Sequence, residues 1–160
     1  MEIERKFLIA KDSLPADYES YPCHEIEQGY LCVQPVVRIR KSDEDYYLTY
    51  KSRGLLAREE YNLPLTKESY LHLREKIDGI LISKRRYVIP ERDGLFIELD
   101  IFGAPYEGLY MAEVEFRSEE EALAYEAPAW FGPDVTGLGV YQNSSLSHGV
   151  DLESLLGRKG

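Results

Sequence analysis

Only two cysteines occur in 160 residues, Cys23 and Cys32, and they form neither a C-x-x-C pair nor a zinc-type spacing. Two free thiols are therefore expected, not a disulfide framework. The three histidines, His24, His72 and His148, are scattered and read as surface or loop positions. The chain has no G-x-x-x-x-G-K-S/T stretch and no G-x-S-x-G, so neither a P-loop nor a nucleophile elbow is available. No apolar run approaches the roughly 20 residues of a membrane span, and the charged N-terminal residues are not organised as a signal peptide, so the cytoplasm is the expected compartment. Bases are also in the minority, with 19 Lys and Arg against 29 Asp and Glu, a net charge of −10. That balance argues against a nucleic-acid backbone as the main partner, because such binding depends on Lys and Arg neutralising phosphates. A small polyanion remains admissible if the bases are gathered in one place.

What is present suits one domain over residues 1–160, with 44% apolar and 30% charged residues. The first strand, residues 1–9, alternates with a period of two, so Glu2, Glu4 and Lys6 share one face while Ile3, Arg5 and Phe7 share the other. Two carboxylates about 7 Å apart on a strand face can share a divalent cation, and a lysine one step further can reach an anion that the cation bridges. Further strands are expected at 24–32, 36–41, 46–51, 57–63, 80–89, 95–102 and 109–117. Thr66 reads as the N-cap of a helix over 67–77, Ser118 opens a short helix to about 126, and 150–156 reads as a final helix. Eight strands, mostly joined as hairpins, with helices inserted late, predict an α+β chain that is mainly antiparallel β and able to close into a barrel.

Strand after strand carries one apolar face and one charged face. The charged faces hold Glu2, Glu4 and Lys6; Arg38 and Arg40; Lys51; Glu60; Lys84 and Arg86; Glu98 and Asp100; Glu113 and Glu115. An amphipathic sheet whose charged faces meet water accounts for any one of these strands. It accounts less well for a polar face so rich in Arg, Lys, Asp and Glu and so poor in Ser, Thr and Gln. Turned inward, the same faces would line a wet lumen whose charges need an ionic ligand to balance them. Bases would hold phosphates and acids would hold a metal. Carboxylates without histidine or cysteine select a hard cation, Mg²⁺ or Mn²⁺.

The ordered set Glu2-x-Glu4-x-Lys6, Gln28-Gly29-Tyr30-Leu31, Arg38-x-Arg40, Leu48-Thr49-Tyr50-Lys51, Lys84-x-Arg86-Tyr87, Glu98-Leu99-Asp100 and Ala112-Glu113-Val114-Glu115-Phe116 resembles the CYTH superfamily, the triphosphate tunnel metalloenzymes. The resemblance implies an eight-stranded closed β-barrel, the triphosphate tunnel, with a few flanking helices and the charged faces inside. It implies that Arg38, Arg40, Lys51, Lys84 and Arg86 grip a triphosphate and that Glu2, Glu4, Glu113 and Glu115 bind metal. Asp100 and Glu60 look like further acidic lining at a second metal or at the attacking water, and Lys6 would contact the phosphates near the reacting bond. Asn62 stands where relatives often carry an acid. Residues 137–141 are less acidic than in relatives, so no lid or plug is carried over.

The activity implied is metal-dependent hydrolysis of a linear triphosphate, most simply inorganic tripolyphosphate to pyrophosphate and phosphate. The alternatives are a class IV-type adenylate cyclase acting on ATP, a thiamine triphosphatase, and a non-catalytic module that binds polyphosphate or nucleotide. The expected partner is a small-molecule triphosphate, with neither nucleic acid nor membrane involved, and the resemblance allows a homodimer.

Overall fold

A computed structural model describes residues 2–54 and 56–156. Nine strands form one sheet: β1 (Glu2–Leu8), β2 (Cys23–Val33), β3 (Val36–Ser42), β4 (Asp45–Lys51), β5 (Ala57–Arg58), β6 (Glu60–Pro64), β7 (Asp78–Pro90), β8 (Phe96–Phe102) and β9 (Tyr110–Glu115). Among the described residues four short α-helices accompany them: α1 (Lys67–Arg74), α2 (Glu119–Ala124), α3 (Asn143–Leu146) and α4 (Leu152–Leu155). None of the described helices is long and apolar enough to cross a membrane.

The sheet order is β5-β1-β9-β8-β7-β2-β3-β4-β6, and every pairing is antiparallel. It begins and ends on two halves of one chain segment, separated by Glu59 alone. The sheet therefore curls into a nearly closed barrel. The sequence reads one strand over 57–63, whereas the structure divides it, because Ala57 and Arg58 pair with β1 while Glu60 to Pro64 pair with β4. A strand that changes partner must leave the ladder for a residue. Glu59 does so, its N–H donating to Ser52 Oγ (2.8 Å) and its carbonyl accepting from Ser52 N–H (3.0 Å).

Both faces of β1 are buried. The outer face contributes Ile3 and Phe7 to an apolar cluster with Ile97, Leu99, Val114 and Phe116, capped by Ala122 of α2 and by Trp130 and Phe131. This cluster supplies the hydrophobic stabilisation that the charged interior does not. Inside the barrel the character changes along the axis. Glu4 and Lys6 give way to Leu8, Lys84 to Ile82, Asp100 to Phe102 and Glu113 to Met111, all on the same strand faces.

The C-terminal segment packs on this apolar end. Val135, Tyr141, Leu146 and Leu155 join Tyr106, Leu109, Ile82, Phe102 and Met111 in one buried cluster, so the barrel is plugged there. The Tyr141 hydroxyl donates to the Leu155 carbonyl (2.6 Å), and Ile80 N–H donates to the Ser147 carbonyl (2.7 Å). Gly79 makes that last contact feasible: its φ is +71°, and a Cβ there would meet the Ser147 oxygen at 2.1 Å. The plug is a structural feature that the resemblance did not supply.

The other expectations shift only at their ends. Thr66 caps α1 by accepting from Ser69 N–H, but the helix stops at Arg74 instead of 77, and α4 covers 152–155 of the expected 150–156. Cys23 and Cys32 are free thiols.

Candidate active site

A cavity of about 340 Å³ lies inside the barrel, bounded by the inward strand faces and by a turn of the plug. Strand pairing sets its walls, because residues opposite one another on antiparallel strands present their side chains to the same face. Glu4 lies opposite Glu115 and Lys6 opposite Glu113 on β1 and β9, while Glu98 of β8 lies opposite Glu113. Arg38 and Arg40 of β3 face Thr49 of β4 and Gln28 of β2. The predicted residues Glu2, Glu4, Lys6, Arg38, Arg40, Lys51, Glu60, Arg86, Glu98, Glu113 and Glu115 all line this cavity.

Lys84 and Asp100 do not. Their side chains are fully buried beneath it and joined at 2.7 Å, with Arg86 forking onto both Asp100 oxygens through Nε (2.8 Å) and Nη2 (2.9 Å). Burial opposes ionisation of Asp100, but Arg86 and Lys84 outweigh it and hold the carboxyl below its ordinary value. Burial, with Arg86 and Arg40 nearby, pushes the Lys84 ammonium down to about 7 against the pull of Asp100. Asp100 thus anchors two bases from below, with both oxygens engaged and its side chain fully buried.

The acidic wall is crowded. Burial, then Glu113 and Glu2, push the Glu4 carboxyl up to about 8. Glu115 is raised by burial and by Glu2, Glu60 and Glu98. Four bases offset part of this charge, among them Arg86, whose Nη1 lies 3.2 Å from Glu98 and Nη2 3.8 Å from Glu113. Lys51 Nζ lies 2.9 Å from Glu2 and 3.3 Å from Glu60, Arg58 Nε is 3.2 Å from Glu2, and Lys6 Nζ is 3.6 Å from Glu113. Burial works against ionisation of Glu60, but hydrogen bonding with Glu2 and the Lys51 charge hold it at about 2.

The β3 wall has the opposite problem. Arg40 Nε donates to Gln28 Oε1 (2.8 Å), Arg38 Nη2 donates to Thr49 Oγ1 (3.2 Å), and both partners are neutral. Among the described residues no carboxylate lies within ion-pair distance of either guanidinium, and Arg38 Nε, though buried, has no hydrogen-bond partner. Burial together with Arg38 and Arg86 lowers the Arg40 pKa, as expected where cations crowd. One wall therefore has uncompensated positive charge and the other has excess negative charge. A phosphate chain answers the first and a metal cation answers the second.

The four carboxylates Glu2, Glu4, Glu113 and Glu115 offer only oxygen donors, which suits a hard divalent cation. Among the described residues no three Asp, Glu, His or Cys side chains are already gathered as a metal cluster. Lys6 and Lys51 hold Glu113 and Glu2 within ion-pair distance. This arrangement still fits Mg²⁺, which commonly takes one or two carboxylates plus substrate phosphates instead of an all-protein cage.

Several lining residues lie outside the predicted set: Tyr30, Tyr47, Arg58 and the Gln142-Asn143-Ser144 turn of the plug. Arg58 stands in register with Glu60 and Asn62, both of which line the cavity, so period two could have found it. Nothing in the sequence marks the turn, which reaches the cavity only through tertiary packing.

The CYTH domain model matches residues 1–146. An inorganic triphosphatase of Nitrosomonas europaea is 36% identical over 91% of this chain and 96% of its own length, and one of Acetivibrio thermocellus is 33% identical over 91% and 92%. A crystal structure of an inorganic triphosphatase superposes with a TM-score of 0.69 at 33% identity, covering 94% of this chain and 96% of that one. With the barrel, its inward charges and a family match over nearly all of the sequence, the chain belongs to the CYTH domain family.

Proposed function

We propose that this chain hydrolyses a linear triphosphate with a divalent cation as cofactor, inorganic tripolyphosphate giving pyrophosphate and phosphate. One observation carries the reading: a single cavity has Arg38 and Arg40 without carboxylate partners on one side and the crowded carboxylates Glu4 and Glu115 on the other. A triphosphate bound with its cation relieves both strains at once. The relatives named inorganic triphosphatase support the same substrate.

In this reading Arg38 and Arg40 grip the phosphates, since a planar guanidinium suits bidentate contact with phosphate oxygens. Lys51 and Arg86 add charge along the chain, and Lys6 acts as a point charge near the bond that breaks. Glu2, Glu4, Glu113 and Glu115 hold Mg²⁺ or Mn²⁺, which when bound neutralises phosphate charge and makes a bound water more acidic. Glu60, held ionised, accepts a hydrogen bond from the attacking water and so orients it. Asp100 and Lys84 serve by fixing Arg86 from beneath. Such a site needs positioning and charge neutralisation more than covalent chemistry.

The test is release of phosphate and pyrophosphate from tripolyphosphate, ATP and thiamine triphosphate in parallel, with Mg²⁺, with Mn²⁺ and with EDTA. Rapid, EDTA-sensitive cleavage of tripolyphosphate is expected. Turnover of ATP alone, giving cyclic AMP, would replace this reading with the cyclase one.

A further inference from the structure

Gln28 lies behind the basic wall of the cavity, fully buried on β2 and opposite Arg40 of β3 and Ile82 of β7. Its Oε1 accepts from Arg40 Nε (2.8 Å) and also from Arg40 Nη2, so one amide oxygen takes two donors of the same guanidinium edge. That fork fixes the direction in which the guanidinium plane faces. The amide nitrogen, Nε2, is equally buried and has no hydrogen-bond partner.

Elsewhere in the same barrel an arginine is held differently. Arg86 forks through the same two nitrogens, Nε and Nη2, but onto the carboxylate of Asp100. Asp100 neutralises its arginine as well as orienting it, whereas Gln28 can only orient. Arg38 is treated as Arg40 is: its acceptor, Thr49 Oγ1, is neutral and fully buried and donates its own proton to Asn62 Oδ1. The groups that bear on the Arg40 charge are two further cations, Arg38 and Arg86, and the phenol of Tyr47. Stability does not explain the amide. A buried donor without an acceptor costs free energy, and so does a buried cation without a counter-charge. A carboxylate of the same shape at position 28 would remove both costs.

We propose that Gln28 is a positioning residue for anion binding, which orients Arg40 while leaving its whole charge to the phosphates in the cavity. This rests on reading the main cavity as a triphosphate site. The neutral amide gives up stability in the empty chain, and the bound anion supplies the counter-charge that Gln28 withholds.

Titration calorimetry with tripolyphosphate in EDTA, where no cation supports turnover, is run beside thermal unfolding on the wild type, Gln28→Glu and Gln28→Met. Gln28→Glu should melt at the same temperature as the wild type or higher, yet bind tripolyphosphate about tenfold or more weakly, the scale of one charge-assisted contact. Gln28→Met keeps the Arg40 charge but loses the fork, so its affinity should fall between those two. A purely structural role for Gln28 predicts that stability and affinity fall together, and that outcome would overturn the proposal. Wild-type affinity in Gln28→Glu, or weaker binding by Gln28→Met than by Gln28→Glu, would overturn it as well, because the charge on Arg40 would then not be what Gln28 preserves. A wild type that binds no tripolyphosphate overturns the reading of the cavity and the positioning role with it, whereas a failure confined to the variants leaves the triphosphate reading standing.

Discussion

The Lys6 ammonium donates to the backbone carbonyl of Tyr141 across 3.2 Å, tying a base of the cavity to the C-terminal plug. Glu113 Oε1 is further away from it, at 3.6 Å. The plug therefore helps to aim a cavity side chain as well as sealing the barrel. Leu146 is fully buried in that plug. Leu146→Ala should lower stability by about 2–5 kcal/mol in urea unfolding, the usual range for emptying a buried leucine site. The folded fraction should also hydrolyse tripolyphosphate more slowly as Tyr141 loosens. Normal turnover by folded Leu146→Ala would mean that Glu113 alone holds Lys6.

Arg38 offers a contrasting case, because its charge is unpaired and lies near that of Arg40. Arg38→Ala should leave the melting temperature unchanged or raise it, since a buried cation without a counter-charge costs stability. Hydrolysis of tripolyphosphate should fall by about 100-fold or more, the scale seen when a preorganised charge contact in a reaction centre is removed. Near-normal activity would take Arg38 out of the site.

Asp100 should behave in the opposite way. Its two oxygens accept three charge-assisted bonds from Lys84 and Arg86, all buried. Asp100→Asn deprives buried Lys84 of its ion-pair partner and leaves Arg86 only Glu98 (3.2 Å) and Glu113 (3.8 Å), so a loss of about 3–5 kcal/mol is expected, typical of breaking one side of a buried ion pair. Thermal unfolding of Asp100→Asn beside Arg38→Ala separates the two roles. A stable but inactive Asp100→Asn would return Asp100 to the cavity as a ligand of metal or water.

This pair also shows how far the sequence could be read. Period-two alternation assigns Lys84, Arg86, Glu98 and Asp100 to the inner face correctly, because parity depends only on spacing along a strand. It says nothing about level along the barrel axis. Lys84 and Asp100 therefore look like cavity residues, although they lie one layer below, where the lining is turning apolar toward Ile82 and Phe102. Arg58 was legible by spacing but not by charge pairing, because its partner Glu2 is 56 residues away. The plug escaped for a different reason. Its helices α3 and α4 are four residues each, too short for a helical period to appear, and its apolar residues bury in one cluster with the barrel end.

Asp134 supplies a prediction about pH. The segment 134–136 runs beside Lys6: Val135 N–H donates to the Lys6 carbonyl (2.8 Å), and Lys6 N–H donates to Thr136 Oγ1 (2.9 Å). Asp134 fixes that segment by accepting from Arg5 Nη2 (2.8 Å) and from Thr136 N–H (2.9 Å). Burial works against its ionisation, but the Thr136 hydrogen bonds and Arg5 outweigh it, so the folded carboxyl lies below its ordinary value. A depressed folded pKa gives stability that is present above the unfolded value, about 3.9, and is lost as pH falls through the folded one. Asp134→Asn should cost about 1 kcal/mol at pH 7, a modest figure because the side chain is 39% exposed and the pair is screened. The gap between wild type and variant in urea unfolding should narrow as the pH falls below about 4. A gap of the same size at pH 7 and pH 3 would show that the hydrogen-bond geometry at Asp134 stabilises the segment and its charge does not.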